Sequence, residues 1–151
     1  MRIIQDNLSD KQIIDLLDIH LQGMTDNSPP GTCFALDLNA LKTPDITFYS
    51  AWIGERAAGC VALKQLAPDW GKIKSMRAHP DFVGQGIGRA LLEHIFTTSQ
   101  QRKYAKISLE TGTTPAFYPS IELYARNGFT LGEIYGDYRP STFNIYMHKD
   151  I

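Results

Sequence analysis

The chain has 151 residues, 43% of them hydrophobic and 21% charged, the make-up of one ordinary globular domain and not of a disordered chain. Fifteen Lys and Arg stand against sixteen Asp and Glu, a net charge of −1 at pH 7, without the basic excess of a nucleic-acid or anionic-membrane binder. No apolar run approaches the ~20 residues of a membrane span, and Cys33 and Cys60 suit neither a disulfide framework nor a zinc site. The opening Met1-Arg2-Ile3-Ile4-Gln5-Asp6 turns polar at once, unlike a signal peptide. The expectation is a single soluble, cytoplasmic, metal-free domain over residues 1–151.

Arg2-Ile3-Ile4 opens a first strand. Ser9 is the expected N-cap of a helix over about 10–24, where Ile13, Ile14, Leu16, Leu17, Leu21 and Met24 recur at helical spacing. Asn27-Ser28-Pro29-Pro30-Gly31 is a loop, and a short helix at 34–41 would place Phe34, Leu38 and Leu41 on one face. The β-formers of 46–53, a turn at Gly54-Glu55-Arg56 and the run 58–63 predict a hairpin. Residues 72–78 supply a third strand of this set, closed by His79-Pro80. Ile87, Leu91, Leu92, Ile95 and Phe96 form the stripe of a strong helix over 87–97. A strand over 106–110, a helix over 119–126 ended by Gly128, and strands within 128–135 and 143–148 complete the chain. The order β-α-α-β-β-β-α-β-α-β-β predicts a mixed α/β (α+β) domain of six to seven strands and about four helices. The unit from 72 to 110 is expected to be a right-handed crossover joining parallel strands.

Gly84-Gln85-Gly86-Ile87-Gly88-Arg89 lies between a strand and a helix. Alternate glycines permit positive φ and close backbone approach, and the helix start offers unpaired N–H groups, together a cradle for a pyrophosphate. A tight turn without a ligand is the plainer reading. Arg89 in the first helical turn opposes the helix dipole, so an anion nearby would account for it. A nucleotide P-loop fails, because Gly88-Arg89-Ala90 stands where Gly-Lys-Ser/Thr is needed. The dinucleotide fingerprint fits at Gly84 and Gly86 but meets Arg89 at its third glycine. Glu110 stands where a ribose-binding acid would be, so spacing alone leaves a dinucleotide domain open.

The segment Met76-Arg77-Ala78-His79-Pro80-Asp81-Phe82-Val83-Gly84-Gln85-Gly86-Ile87-Gly88-Arg89-Ala90-Leu91-Leu92 resembles the strand, Q/R-x-x-G-x-G/A loop and helix of the GNAT superfamily of acetyl-CoA-dependent N-acetyltransferases. Leu123-Tyr124-Ala125-Arg126-Asn127-Gly128-Phe129 resembles the family's L-Y-x-x-x-G-F segment. Ile73-Lys74-Ser75-Met76 and Leu109-Glu110-Thr111-Gly112 narrow the likeness to a bacterial group of small members. The resemblance implies a GNAT fold whose splayed parallel strands hold the coenzyme, and a homodimer as one possible assembly. It implies that main-chain groups of Met76 and Ala78 bond the pantetheine arm, with the Met76 N–H facing the acetyl carbonyl. The amides of Gly84, Gln85, Gly86, Ile87, Gly88 and Arg89 would hold the pyrophosphate, and Tyr124 would stand by the sulfur as general acid. Three positions depart from the pattern: Val83 for Gln or Arg, Phe117 for a coenzyme-touching Asn, and Lys72 for a Glu that is a candidate base.

Acetyl transfer to an amine needs a base, since free alkylamines have pKa values near ~10. It also needs a donor for the developing oxyanion and an acid for the thiolate. Glu110, at a strand end, is the expected base, with a structural role as the competing reading; His20 and His79 are alternatives, both expected at the surface. Tyr124 shares a helical stripe with Phe117 and Ile121, so a core role competes with the catalytic one. Cys60 is expected to be a small buried filler, which favours direct attack without an acyl-enzyme. The expected function is transfer of acetyl from acetyl-CoA to a primary amine of a small molecule or peptide; the alternative is an acetyl-CoA sensor without efficient catalysis. Phe34, Tyr135, Tyr138 and Phe143 are candidates to wall the acceptor pocket.

Overall fold

The computed structural model describes residues 1–32 and 37–151. In chain order they form β1 (Arg2–Gln5), α1 (Lys11–Asp26), β2 (Ile46–Ile53), β3 (Arg56–Ala67), β4 (Trp70–Ala78), α2 (Ile87–Gln101), β5 (Lys106–Gly112), α3 (Tyr118–Arg126), β6 (Thr130–Gly132) and β7 (Asn144–Asp150). The strands make one mixed sheet in the order β1-β2-β3-β4-β5-β7-β6. Every neighbouring pair is antiparallel except β4 and β5, the two strands joined through α2, as a helical crossover requires.

Two apolar cores sandwich the sheet. On one side Leu91, Leu92 and Ile95 of α2 meet Val61, Leu63, Ile73, Ile107, Leu109 and Met147. On the other, Ile13, Leu16 and Leu17 of α1 meet Phe48, Trp52, Ala57, Cys60 and Ala62. The alternation along β3, with Val61 and Leu63 on one face and Cys60 and Ala62 on the other, is the period-2 signature of a strand buried on both faces.

Several boundaries differ from the sequence reading. Asp10, not Ser9, caps α1 by accepting from the Gln12 N–H at 2.8 Å; the Ser9 hydroxyl is engaged with Asn7 instead. Of the expected short helix at 34–41, residues 34–36, Phe34 among them, lie outside the described ones, and 38–41 form a turn. The described residues therefore hold three α-helices where about four were expected. The strand expected within 128–135 is confined to Thr130–Gly132, and Tyr135 is buried beyond its end. α3 ends as expected, with Gly128 in the left-handed region at φ 94° after the Asn127 cap.

Candidate active site

The site starts where a ladder stops. β4 and β5 pair only at Trp70 with Lys106, Gly71 with Ile107 and Lys72 with Ser108. Both strands run on, β4 to Ala78 and β5 to Gly112, without pairing to each other. A wedge therefore opens in the middle of the sheet. Main-chain groups on its walls lack ladder partners, which buried backbone does not tolerate without a substitute.

A one-residue bulge aims the β4 wall. Lys74 pairs with Ala62 and Arg77 with Cys60, so Ser75 and Met76 together oppose Val61 alone. Ser75 takes the left-handed conformation, φ 52°, which costs a non-glycine residue of order 1 kcal/mol. The Cys60 thiol, buried and pushed up to about 12 by desolvation, meets the Ser75 carbonyl at 3.4 Å. Past the bulge the facing is inverted. Met76 turns toward α2, while Arg77 takes the α1 side beside Cys60. The His79 N–H bonds the Ala58 carbonyl at 2.8 Å. Strand alternation then turns the main-chain groups of Arg77 to β3 and those of Met76 and Ala78 into the wedge.

At the open end lies the glycine loop. Gly84 and Gly86 both have φ 80°, and a Cβ on either would meet nothing within 4 Å. Left-handed backbone is what requires glycine there. Gly86 caps α2 without a side-chain bond, and the first helical bond runs from Ala90 N–H to Gly86 carbonyl. The N–H groups of Ile87, Gly88 and Arg89 are thus the free donors of the helix start. Gly88 has a different cause: a Cβ there would come within 2.7 Å of Leu123, so its bareness seats α3 against α2. The anion invoked for the Arg89 side chain is already present as Glu93, 3.0 Å away one turn along the helix. Gln85 and Val83 are exposed.

Tyr124 is the buried residue of α3. It is 8% exposed, edge-on to Phe129 at 5.7 Å, and its hydroxyl has no hydrogen-bond partner among the described residues. Burial, then the Glu110 charge, push its pKa up to about 12, against a smaller opposite pull from Arg77. Glu110 projects from β5 and receives the Asn144 amide at 2.5 Å. Burial raises its carboxyl above the ordinary range, although Asn144 and the Lys72 and Lys74 charges oppose the rise. The Glu110 and Arg77 charges thus both act on the Tyr124 hydroxyl.

A match to the acetyltransferase (GNAT) family covers residues 13–129. The chain belongs to this family. It is 40% identical over 151 residues to the uncharacterized N-acetyltransferase YsnE of Bacillus subtilis (strain 168), covering 100% of both chains. It is 40% identical over 134 residues to the uncharacterized N-acetyltransferase YedL of Escherichia coli (strain K12), covering 89% of this chain and 84% of that one. An IAA acetyltransferase of Azospirillum brasilense is 33% identical over 141 residues, 93% of this chain and 89% of its own. The PaiA N-acetyltransferase of Thermoplasma acidophilum, solved in complex with coenzyme A, shares the fold at TM-score 0.79 and 14% identity, covering 99% and 98% of the two chains. An aminoglycoside 6'-N-acetyltransferase complexed with coenzyme A superposes at TM-score 0.73 and 13% identity, covering 99% and 97%. The protein is an acyltransferase of this GNAT fold.

Within the GNAT frame, several residues stand where sequence alone did not put them. His20, expected at the surface, is buried on α1. Its Nδ1 accepts from Arg77 Nε at 3.1 Å, and desolvation with the Arg77 charge lowers its pKa to about 4. His79 is half-buried and caps a short 3-10 turn by accepting from the Asp81 N–H at 3.0 Å. Phe117 and Phe143 meet edge-on at 5.6 Å over the bare Gly112. Lys72, on the same sheet face as Glu110, is covered by Tyr138 and Tyr135, which lie 4.0 and 5.5 Å from its amine. Tyr135 stacks in turn against Trp70, Tyr146 and His148. This tyrosine roof over Lys72 was not foreseen. No helix among the described residues is long and apolar enough to cross a membrane, and no cluster of three or more His, Cys, Asp or Glu lies among them.

Proposed function

We propose that the protein transfers acetyl from acetyl-CoA to the primary amine of a small molecule or peptide by direct attack. The observation that carries this reading is the wedge itself. Two parallel strands part after Lys72 and Ser108, and the opening runs toward two left-handed glycines and a free helix start. That arrangement fits a long ligand with an anionic end. Bare glycines admit phosphates to the amides of Gly84, Gly86, Ile87, Gly88 and Arg89. The Gln85 N–H bonds the Phe82 carbonyl at 3.3 Å and would have to leave it to join them. An extended arm finds strand-like partners on Met76 and Ala78. When bound, acetyl-CoA supplies the activated acetyl group as a thioester.

The remaining chemistry falls to the chain. The Met76 N–H meets the negative charge that grows on the acetyl oxygen; a donor of this kind is worth ~10²–10³ in rate. Glu110, its affinity for protons raised by burial, takes the amine proton directly or through water. Tyr124 keeps its proton across the working pH range and delivers it to the departing sulfur. A thiolate has a pKa near ~8.5 in water, and desolvation in the same site makes the sulfur more basic, which favours its protonation. Cys60 stays a thiol because burial lifts it to about 12, which favours transfer without an acyl-enzyme. The reading places the protein in the cytoplasm and allows a homodimer, which light scattering would detect.

Thiol release from acetyl-CoA across a panel of amines tests the reading. Turnover with at least one amine, and a fall in kcat of about 10² in Tyr124→Phe with coenzyme affinity retained, is the expected result. Tight coenzyme binding without thiol release for any amine would instead make the protein a sensor. Stabilisation by a dinucleotide in preference to acetyl-CoA would overturn the coenzyme assignment.

A further inference from the structure

β4 presents three cations to the α1 side of the sheet. Lys74 is paired with Ala62 and Arg77 with Cys60, both core residues of that side, and Lys72 precedes Lys74 by the two-residue repeat that keeps it on the same face. Lys72 is 8% exposed and Lys74 and Arg77 are half-buried. The Lys74 charge acts on the Lys72 amine and helps to lower its affinity for a proton. The Lys72 amine also meets the Tyr138 hydroxyl under the tyrosine roof.

The acidic side of this set is thin. Among the described residues no carboxylate comes within 4.0 Å of Lys72, Lys74 or Arg77, whereas Lys11, Arg56, Lys64, Arg89 and Arg126 all have such partners. Among the described residues Glu110 is the one carboxylate that acts on the lysine pair, and its Oε1 is committed to Asn144. Across from Arg77, α1 offers His20, an uncharged acceptor. From β7 and the segment before it come Asn144, Tyr146, Tyr135 and Tyr138, none of them anionic near neutral pH. Lys72 and Lys74 thus share one acid, an imbalance relieved either by loss of the Lys72 proton, whose pKa falls to about 7, or by an anionic partner that keeps both amines charged. The coenzyme's phosphates do not supply it. Their cradle is at the start of α2, whereas Lys72 and Lys74 lie at the closed end of the wedge.

We propose that the acceptor carries its own carboxylate beside the amine to be acetylated, and that Lys74 and Lys72 receive that carboxylate. The inference rests on the acetyltransferase reading and names its substrate class. Two effects follow from the same charges. A carboxylate balances the lysine pair through charge-assisted hydrogen bonds, and nearby cations shift an incoming ammonium toward its neutral, nucleophilic form. Acceptors bearing a second cation are disfavoured for the same reason.

The test uses matched acceptors that differ only in the carboxylate: phenylalanine with phenethylamine, and alanine with ethylamine, plus cadaverine as a dication. For at least one pair the acid should have kcat/KM roughly tenfold or more above its decarboxylated partner, with cadaverine poorest. Lys74→Gln should shrink that preference to within about twofold, mainly through a higher KM for the acid, while Lys74→Arg restores part of it. Melting shifts induced by the same compounds read the preference without turnover, so they decide the matter even where acetyl transfer is absent. Equal or reversed preference in both pairs by both measurements, or a preference that Lys74→Gln leaves intact, would overturn the proposal. Failure of the coenzyme to bind would count against the acetyltransferase reading alone.

Discussion

β4 serves two purposes along nine residues, and its halves make an instructive contrast. From Trp70 to Lys72 it is sealed by β5 on one edge and β3 on the other, with Gly71 bare because the Tyr104 ring lies where a Cβ would come within 2.7 Å. From Ile73 to Ala78 the β5 edge is open, and a left-handed Ser75 re-aims the chain. The closed half is held as a core is held, by apolar burial and complete hydrogen bonding. The open half keeps its shape through β3, α2 and the Arg77–His20 bond to α1, which leaves its free edge available. One strand can therefore be rigid and receptive at once, provided its two edges are treated differently.

Substitutions separate the apolar frame from the open edge, and the largest effect belongs to the frame. Leu92→Ala empties a fully buried position on α2 beneath the sheet and should cost about 2–5 kcal/mol in denaturant unfolding, while the folded fraction still binds coenzyme. The reverse separation is expected at Gly86→Ala. With φ 80° and open space around it, this change should cost only ~1–2 kcal/mol of stability from backbone strain. Coenzyme affinity by calorimetry should nevertheless drop about tenfold as the cradle amides shift. Ser75→Gly relaxes the bulge, with a net gain between zero and ~1 kcal/mol after the entropy of the added glycine is counted. A large loss there would mean that the Ser75 side chain, not the backbone turn, holds the open half.

The subtlest expected effect is a slope. Burial and the neighbouring Lys74 lower the Lys72 pKa from 10.5 to about 7. Between those values the unfolded chain holds a proton that the folded chain has released, so stability rises with pH across that window. Unfolding measured at several pH values should show the rise, and Lys72→Met should flatten it. On the acid side, His20 acts with the same sign. Its pKa of about 4 against 6.5 makes stability fall as pH drops through that interval, and His20→Gln should remove this part of the loss.

Much of the frame was legible because it is written locally. The stripe on α2, the Gly84–Gly86 turn and the Leu123–Phe129 helix end each depend on residues within a few positions of one another, so periodicity and turn chemistry suffice. His20 was misjudged although a signal existed: Ile13, Leu16, Leu17 and His20 occupy positions i, i+3, i+4 and i+7, the buried stripe of α1. A histidine on an apolar stripe is as much a core residue as its neighbours. Lys72 offered no such clue. In alternation with Gly71 and Ile73 it reads as the solvent face of a strand, and its cover comes from Tyr135 and Tyr138, over sixty residues further on. The bulge at Ser75 was equally hidden, because Ile-Lys-Ser-Met carries no glycine to mark a left-handed residue.

The seating of Cys60 has a practical consequence. Its sulfur is wholly enclosed, bonded to the Ser75 carbonyl and kept protonated, so an alkylating reagent can reach it only when the strand kink beside it comes apart. In a Cys33→Ser background, the labelling rate of that single thiol becomes a clock for breathing at the mouth of the sheet. A bound ligand that bridges the parted strands should slow the clock, whether or not any reaction follows.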